Sequence, residues 1–399
     1  MRAFAVIALA LALTSAFTVA ASGVDDSKDL IVTKKDGGKR IQCFIVTETL
    51  DKLTYTLGKG SKEVGAKWSE LVKVEYAEMR SGAWPTAVDA RDRGKYEEAA
   101  DLFNSVADGG REWQQVYGAF NEGDSFELDG KYAAAAEAFA KLANYPKHRL
   151  WLDGTYRYGF CLALAKKEAE ALKVADELQA YGKKESVAQA DVRANAIRAA
   201  VAAAKGDVTK LSENQGRARF SAVSEPEEWF HFAIFYADSL RRLGKVKDAA
   251  MEFRAITGQL ENDPAKKAQA SFGYGQCLVE TDKQAALVEL LKLDALPYGS
   301  PVQKCDARYL AGKLLWEEAK AGSGDAKAAA FHKANSKTAR TLLLAAAEST
   351  ANAEGKGKAK ALLDSIGPDP DEKPAEKDAK DAKDAKAKPA ADDEAAEEE

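Results

Sequence analysis

GKYEEAADLF, residues 94–103, returns as GKYAAAAEAF over residues 130–139, 36 positions further along the chain. Two copies of GxYxxAxxxF at that distance mark an internal repeat, and the period of a repeat governs how every other residue is read. Each copy is a turn followed by an amphipathic helix. Glycine closes the preceding helix, Tyr96 or Tyr132 opens the next, and Ala99 with Phe103, or Ala135 with Phe139, share one face four residues apart. A hairpin of this size has too little apolar surface to stand alone and must stack on a neighbour.

Carrying the register forward places the turn at Gly94, Gly130, Lys166, Gly206, Gly244 and Asp282, with spacings of 36, 36, 40, 38 and 38. Five residues after the turn stand Ala99, Ala135, Ala171, Leu211, Ala249 and Leu287. Nine after it stand Phe103, Phe139, Ala175, Gln215, Phe253 and Leu291, with Gln215 the exception to an apolar position. Seven before it stand Ala87, Gly123, Gly159, Ala199, Ala237 and Gly275, small in all six. A glycine inside a helix costs about 1 kcal/mol against alanine, so three in one register imply that a second helix packs there at close range.

This register resembles the tetratricopeptide repeat (TPR) over residues 84–295, and the resemblance implies an α-solenoid of paired helices A and B. The small residue is then the eighth position of helix A, and GxYxxAxxxF opens helix B. The resemblance also implies a concave groove lined by fixed positions of helix A. Here those are Tyr117, Phe120, Asn121, Asp124, Tyr156, Arg157, Phe160, His231, Phe235, Asp238, Arg241 and Phe272. The mixture of aromatic rings with charges of both signs is that of a peptide-binding surface. The family's carboxylate clamp for chaperone tails is not matched, because its position five carries Trp84, Phe120, Tyr156 or Phe272.

Ahead of the repeats the period changes from helical to alternating. DLIVT, RIQCFIVTE, KLTYTL, EVGAKW and LVKVEY are short runs rich in β-branched and aromatic residues, separated by the turn signals KKDGGK, ETLD and GKGSK. Five strands within residues 24–78 predict a small all-β barrel, SH3-like or Sm-like, leaning on the first helical hairpin. Before it, Arg2, the apolar run Phe4 to Leu13 and the small residues Val19 to Ser22 read as a secretory signal cleaved near Ala21, which implies a periplasmic or secreted protein.

After the repeats, residues 301–366 predict a helical cap. It comprises a long helix from Pro301, a turnless stretch AGSGDAKAAAFHKANS, an apolar helix from about Ser336, and KAKALLDSI. Residues 367–399 lack aromatic and β-branched residues and predict a disordered charged tail. The full chain of 399 residues has a formal charge of −5. Residues 371–399 hold 12 acidic and 6 basic side chains, a net of −6, which leaves +1 elsewhere and nothing once Arg2 is removed. That balance excludes a basic field for nucleic acid or an anionic membrane.

Catalytic signatures are missing from the sequence: it has no HExxH, GxSxG or P-loop. Three histidines, His148, His231 and His332, share no metal-ligand spacing, so neither catalysis, a metal nor a cofactor is expected. Of the four cysteines, Cys161 and Cys277 occupy a small core position of helix A, and Cys305 heads the helix that follows Cys277, which leaves a bridge between those two open. The expected function is therefore a non-enzymatic scaffold of the cell envelope that binds a protein or peptide in the groove. The alternative is a structural subunit that self-associates or packs permanently in a complex.

Overall fold

The computed structural model describes residues 27–34, 38–321 and 326–367. The stretches expected to be an export signal and a disordered charged tail lie outside the described residues, the tail from residue 368 onward.

Five strands, β1 (Asp29–Thr33), β2 (Arg40–Glu48), β3 (Lys52–Thr56), β4 (Val64–Lys67) and β5 (Leu71–Glu75), form one antiparallel sheet in the order β4-β3-β2-β1-β5. The strands fall where the alternating runs place them. The barrel, however, is not closed by hydrogen bonds, because β4 and β5 are the two edges, joined by a 3-10 turn at Trp68–Glu70. Ile31, Cys43, Leu53, Tyr55, Ala66 and Leu71 fill its core. The pairing of β2 with β3 slips between Ile45 and Thr47, a bulge that inserts Val46 as an extra residue. Strict alternation would turn Thr47 inward after Cys43 and Ile45. The bulge instead leaves Thr47 exposed and buries Glu48.

Fifteen α-helices follow among the described residues, and consecutive ones pack in pairs. The first three hairpins are α1 (Ala83–Asp92) with α2 (Tyr96–Ala107), α3 (Glu112–Leu128) with α4 (Tyr132–Ala140), and α5 (Trp151–Leu164) with α6 (Glu168–Glu185). The next three are α7 (Ala188–Ala204) with α8 (Val208–Arg217), α9 (Pro226–Arg242) with α10 (Val246–Gln259), and α11 (Pro264–Thr281) with α12 (Lys283–Ala295). The final layer is α13 (Pro301–Ala321), α14 (Ala326–Ala347) and α15 (Ala353–Ile366). α14 begins ten residues earlier than expected, because the alanine-rich AKAAAFHKANS belongs to the helix.

Gly94, Gly130, Gly206 and Gly244 all adopt positive φ between 73° and 76°, the left-handed turn that ends a helix. Lys166 holds the same turn at φ 62°, where a side chain costs about 1–2 kcal/mol per residue. Lys166→Gly is therefore expected to stabilise the chain by about 0.5–1 kcal/mol, after allowing for the extra freedom of glycine in the unfolded state. Chemical denaturation checks this, and a loss of stability would mean that the lysine side chain holds the turn in some other way. In the sixth hairpin there is no such turn. Asp282 itself caps α12 by accepting from the Ala285 N–H, at 3.0 Å. Asp282 alone connects the two helices where the other hairpins use three residues, and the second helix starts one position earlier in the register, so Ala286 and Leu290 take the buried places expected for Leu287 and Leu291.

The small residues of helix A lie against the second helix of their own hairpin. A Cβ on Gly123 would meet the Phe139 ring at 2.8 Å, and one on Gly159 would meet Val174 Cγ1 of α6 at 2.9 Å and, from the next hairpin, Ile197 Cδ1 of α7 at 2.6 Å. Gly275 is looser, 3.4 Å from Leu290 Cδ2. A second close register, five residues ahead of the first, places Gly118 against the Ala107 backbone and Gly154 against Leu142.

The array winds tightly enough for distant hairpins to touch. α9 reaches α3 and α5 through His231, three and two hairpins back respectively. At the end of the array, Val302 of α13 and Ala351 come up to the turn of the first hairpin. A Cβ on Gly94 would lie 3.1 Å from Val302 Cγ2 and 3.5 Å from Ala351 Cβ. Cys43, Cys161, Cys277 and Cys305 are all buried free thiols, so the Cys277 to Cys305 bridge is not formed. Burial pushes the Cys277 thiol up to about 11, and Cys305 Sγ faces the Ala346 carbonyl at 3.5 Å.

Candidate functional site

Helix A of the first, second, third and fifth hairpins brings most of the expected groove residues to one place. Arg91 of α1 donates to Asn121 Oδ1 at 2.8 Å and to Asp124 Oδ2 at 3.3 Å on α3. Arg157 of α5 donates to Asp124 Oδ1 and to Glu127 Oε2, both at 2.7 Å. His231 Nε2 stands 2.6 Å from Glu127 Oε1, and its Nδ1 is 3.0 Å from the Tyr156 hydroxyl. Since an ionised Glu127 only accepts, His231 must donate from Nε2 and receive the Tyr156 proton at Nδ1, which assigns its tautomer.

Beneath this chain lies an aromatic floor. Phe160 packs on His231 and on Phe235, with ring centroids 4.9 Å and 4.6 Å apart. Tyr156 and Phe160 are 0% and 1% exposed, so they are interior residues that α9 covers rather than the lining of an open groove. Tyr117 stands elsewhere, at the joint with the sheet. Phe120 packs edge-on against Phe139, and Phe272 belongs to the cluster around α11 to α13. Asp238 and Arg241 pair with each other at 2.7 Å on α9. Asn121, Asp124, Arg157, His231, Phe235, Asp238 and Arg241 are partly exposed.

Electrostatics follow the geometry. Burial works to raise the Glu127 carboxyl, but the Arg157 guanidinium and His231 outweigh it and hold it at about 2. Burial, reinforced by Arg157, keeps His231 below its ordinary value and therefore neutral. Tyr156→Phe would leave His231 Nδ1 without a partner in the interior. It is expected to cost about 1–2 kcal/mol in a denaturant titration, with the helical content at neutral pH unchanged. A neutral effect would place the Tyr156 hydroxyl outside the chain of bonds.

Several members of these networks carry no sequence motif. Glu127 and Arg91 look like ordinary solvated helix positions. Arg193 sits in the alanine-rich α7 yet is only 4% exposed, donating from Nε to Asp153 Oδ1 at 2.9 Å and from Nη1 to Glu225 Oε1 at 2.7 Å. An arginine with alanine at 190, 194 and 196 around it, on a helix face otherwise filled by small residues, is the signal that could have found it.

The joint between sheet and helices is a second buried polar site. Glu48 Oε1 accepts from the Tyr76 hydroxyl at 2.7 Å, and Glu48 Oε2 accepts from the Tyr117 hydroxyl at 2.9 Å and from Arg149 Nε at 2.7 Å. Arg149 also lies over the Trp68 ring at 4.6 Å. His148 is buried beside them, its Nδ1 accepting from the Leu150 N–H, and burial lowers its pKa to about 4. Trp113 stacks on Tyr76 with centroids 4.8 Å apart, and Trp84 meets both Trp113 and Tyr117 edge-on. The sheet thus docks mainly on α3 and on the loop before α5, rather than on the first hairpin alone.

Among the described residues no group of three His, Cys, Asp or Glu side chains could hold a metal ion, and no helix is long and apolar enough to cross a membrane. No protein-family model matches the chain, and comparison with curated proteins finds no match either.

Proposed function

We propose that the chain is a non-enzymatic interaction scaffold of tetratricopeptide type, exported to the cell envelope, which holds a protein or peptide partner on the inner face of its helical array. Support for the repeat type comes from the left-handed glycine turns, the tyrosine two residues on, and the buried alanine and phenylalanine facing a small residue of helix A. For the sheet, the order β4-β3-β2-β1-β5 with a 3-10 turn between β4 and β5 supports a likeness to SH3-like domains in strand order, in a sheet that stays open between its two edge strands.

The observation that carries the functional reading is the strip of partly exposed side chains of both signs on helix A. Arg91, Asn121 and Asp124 lie toward one end of it, and Asp238 and Arg241 toward the other. An open hollow of about 470 Å³ at the start of α4 is lined by Lys131, Tyr132 and Ala165. Arg242 and Asp238 act on the Tyr132 hydroxyl, so this hollow belongs to the same region. Paired charges around it favour a partner that is itself polar and uncharged overall, held by hydrogen bonds and shape.

A photo-crosslinking residue at Asn121 or Asp238, in cells that make the full chain, tests this reading. The same covalent adduct is expected from both positions and not from Asp101 on the outer helix α2. Adducts that form equally at Asp101 would overturn the inner-face assignment. An adduct between two copies of the chain would favour self-assembly instead.

A further inference from the structure

The joint between sheet and helices leaves two buried polar groups uncommitted, and they face each other. A carboxylate offers about four lone-pair sites. Three protons reach Glu48, from the Tyr76 hydroxyl at 2.7 Å, the Tyr117 hydroxyl at 2.9 Å and Arg149 Nε at 2.7 Å, which leaves one site over. His148 is the converse. Its Nδ1 accepts from the Leu150 N–H at 3.1 Å, so the proton of the neutral ring sits on Nε2. Glu48 Oε2 lies 3.9 Å from Nε2, beyond hydrogen-bond range, and Nε2 makes no hydrogen bond among the described residues. The two side chains are 1% and 2% exposed. A donor and an acceptor thus stand side by side in the interior, too far apart to satisfy each other.

Both groups line a cavity of about 100 Å³ that also touches Tyr76, Trp113 and the bulge at Val46. Trp113 brings a second uncommitted donor to the wall, since its indole N–H is buried without a hydrogen-bond partner. At the mouth stand the exposed Arg111 and Glu112, and Arg111 is already paired with Glu78. No free cation awaits an anion there, and Glu48 and Glu112 would repel one. We propose that this cavity binds a primary amide, whose oxygen accepts from His148 Nε2–H while its N–H donates to Glu48 Oε2. A primary amide carries acceptor and donor on one side of a single planar group, which suits a donor and an acceptor set 3.9 Å apart. A trans peptide group points its C=O and N–H in opposite directions and cannot bridge them. A carboxylate has no proton for Glu48. One water occupies about 30 Å³, so a lone water would leave most of the cavity unfilled. Burial lowers His148 to about 4, so at neutral pH it presents a neutral N–H rather than a cation that would select anions. The site lies away from the inner face and does not rest on that reading.

Titrating the full-length protein with propionamide at neutral pH, while following the tryptophan indole N–H resonances by heteronuclear NMR, tests the site. The Trp113 indole is expected to shift with saturation at about 1–10 mM, weak because the probe is small, while the Trp316 indole stays in place. Acetate and N-methylacetamide over the same range are expected to give no saturable shift. N-acetylglutamine methylamide separates the two sources of such a group: at least tenfold tighter binding than propionamide assigns the site to a glutamine side chain of a peptide, and weaker binding to a small free amide. His148→Phe, which keeps a buried ring and removes the donor, is expected to weaken propionamide at least tenfold. Should that variant fail to fold, Val46→Phe, at an exposed position on the cavity, is expected to obstruct entry with the same loss. Absence of a saturable shift with propionamide, acetate or N-methylacetamide binding as tightly, or an affinity unchanged in His148→Phe or in its substitute Val46→Phe, would overturn the proposal.

Discussion

Glu48→Ala is expected to lower the unfolding free energy by about 3–5 kcal/mol, the cost of stranding a buried arginine and two buried hydroxyls at once. Glu48 is only 5% exposed and receives hydrogen bonds from Tyr76, Tyr117 and Arg149, which belong to the end of the sheet, to α3 and to the loop before α5. Arg149→Met alone should cost a similar amount, because it strands the carboxylate. The double change Glu48→Leu with Arg149→Met is expected to recover much of the loss, since removing both charges leaves only the two hydroxyls to satisfy. Denaturant titration followed by tryptophan fluorescence reads the joint directly through Trp113 and Trp68. Additive single losses would show that the pair does not act as a unit.

The second large effect is steric. A Cβ on Gly118 would stand 2.5 Å from the Ala107 backbone nitrogen and 2.8 Å from its Cα, so α3 could not keep its distance from α2. Backbone cannot swing aside as a flexible side chain can. Gly118→Ala is therefore expected to cost about 3 kcal/mol, at the upper end for overpacking, despite alanine being the better helix former. Gly275→Ala is the control. Its nearest neighbour is Leu290 at 3.4 Å, an ordinary contact, so it should be neutral or stabilising by up to about 1 kcal/mol. Equal effects at the two positions, measured by the same titration, would remove close helix approach as the reason for these glycines.

How much of this was legible in the sequence depends on the range of the physics. Turns, strands and hairpins were legible because glycine at positive φ, alternation, and an alanine four residues before a phenylalanine are local demands that leave local traces. Gly118 leaves a fainter trace, since within the helices its register repeats as glycine only at Gly154, whereas the column at Gly123 is small in all six hairpins. The winding of the array was not legible. It sums small rotations at every junction, and no single residue encodes that His231 will meet Glu127 across 104 positions. Glu48 was hidden by the bulge at Val46, which reverses the facing of every residue after it. Expected groove aromatics such as Phe160 became floor for the same reason as the winding: α9 arrives from far along the chain to cover them.

The meeting of Val302 and Ala351 with the turn at Gly94 makes the count of hairpins a structural constant. An open stack can gain or lose a unit in evolution, since only its ends notice. Here a duplicated unit would carry the last helices past the first turn, and a deleted one would leave them short of it. Lineages that inherit this molecule should vary its loops freely and its number of units hardly at all.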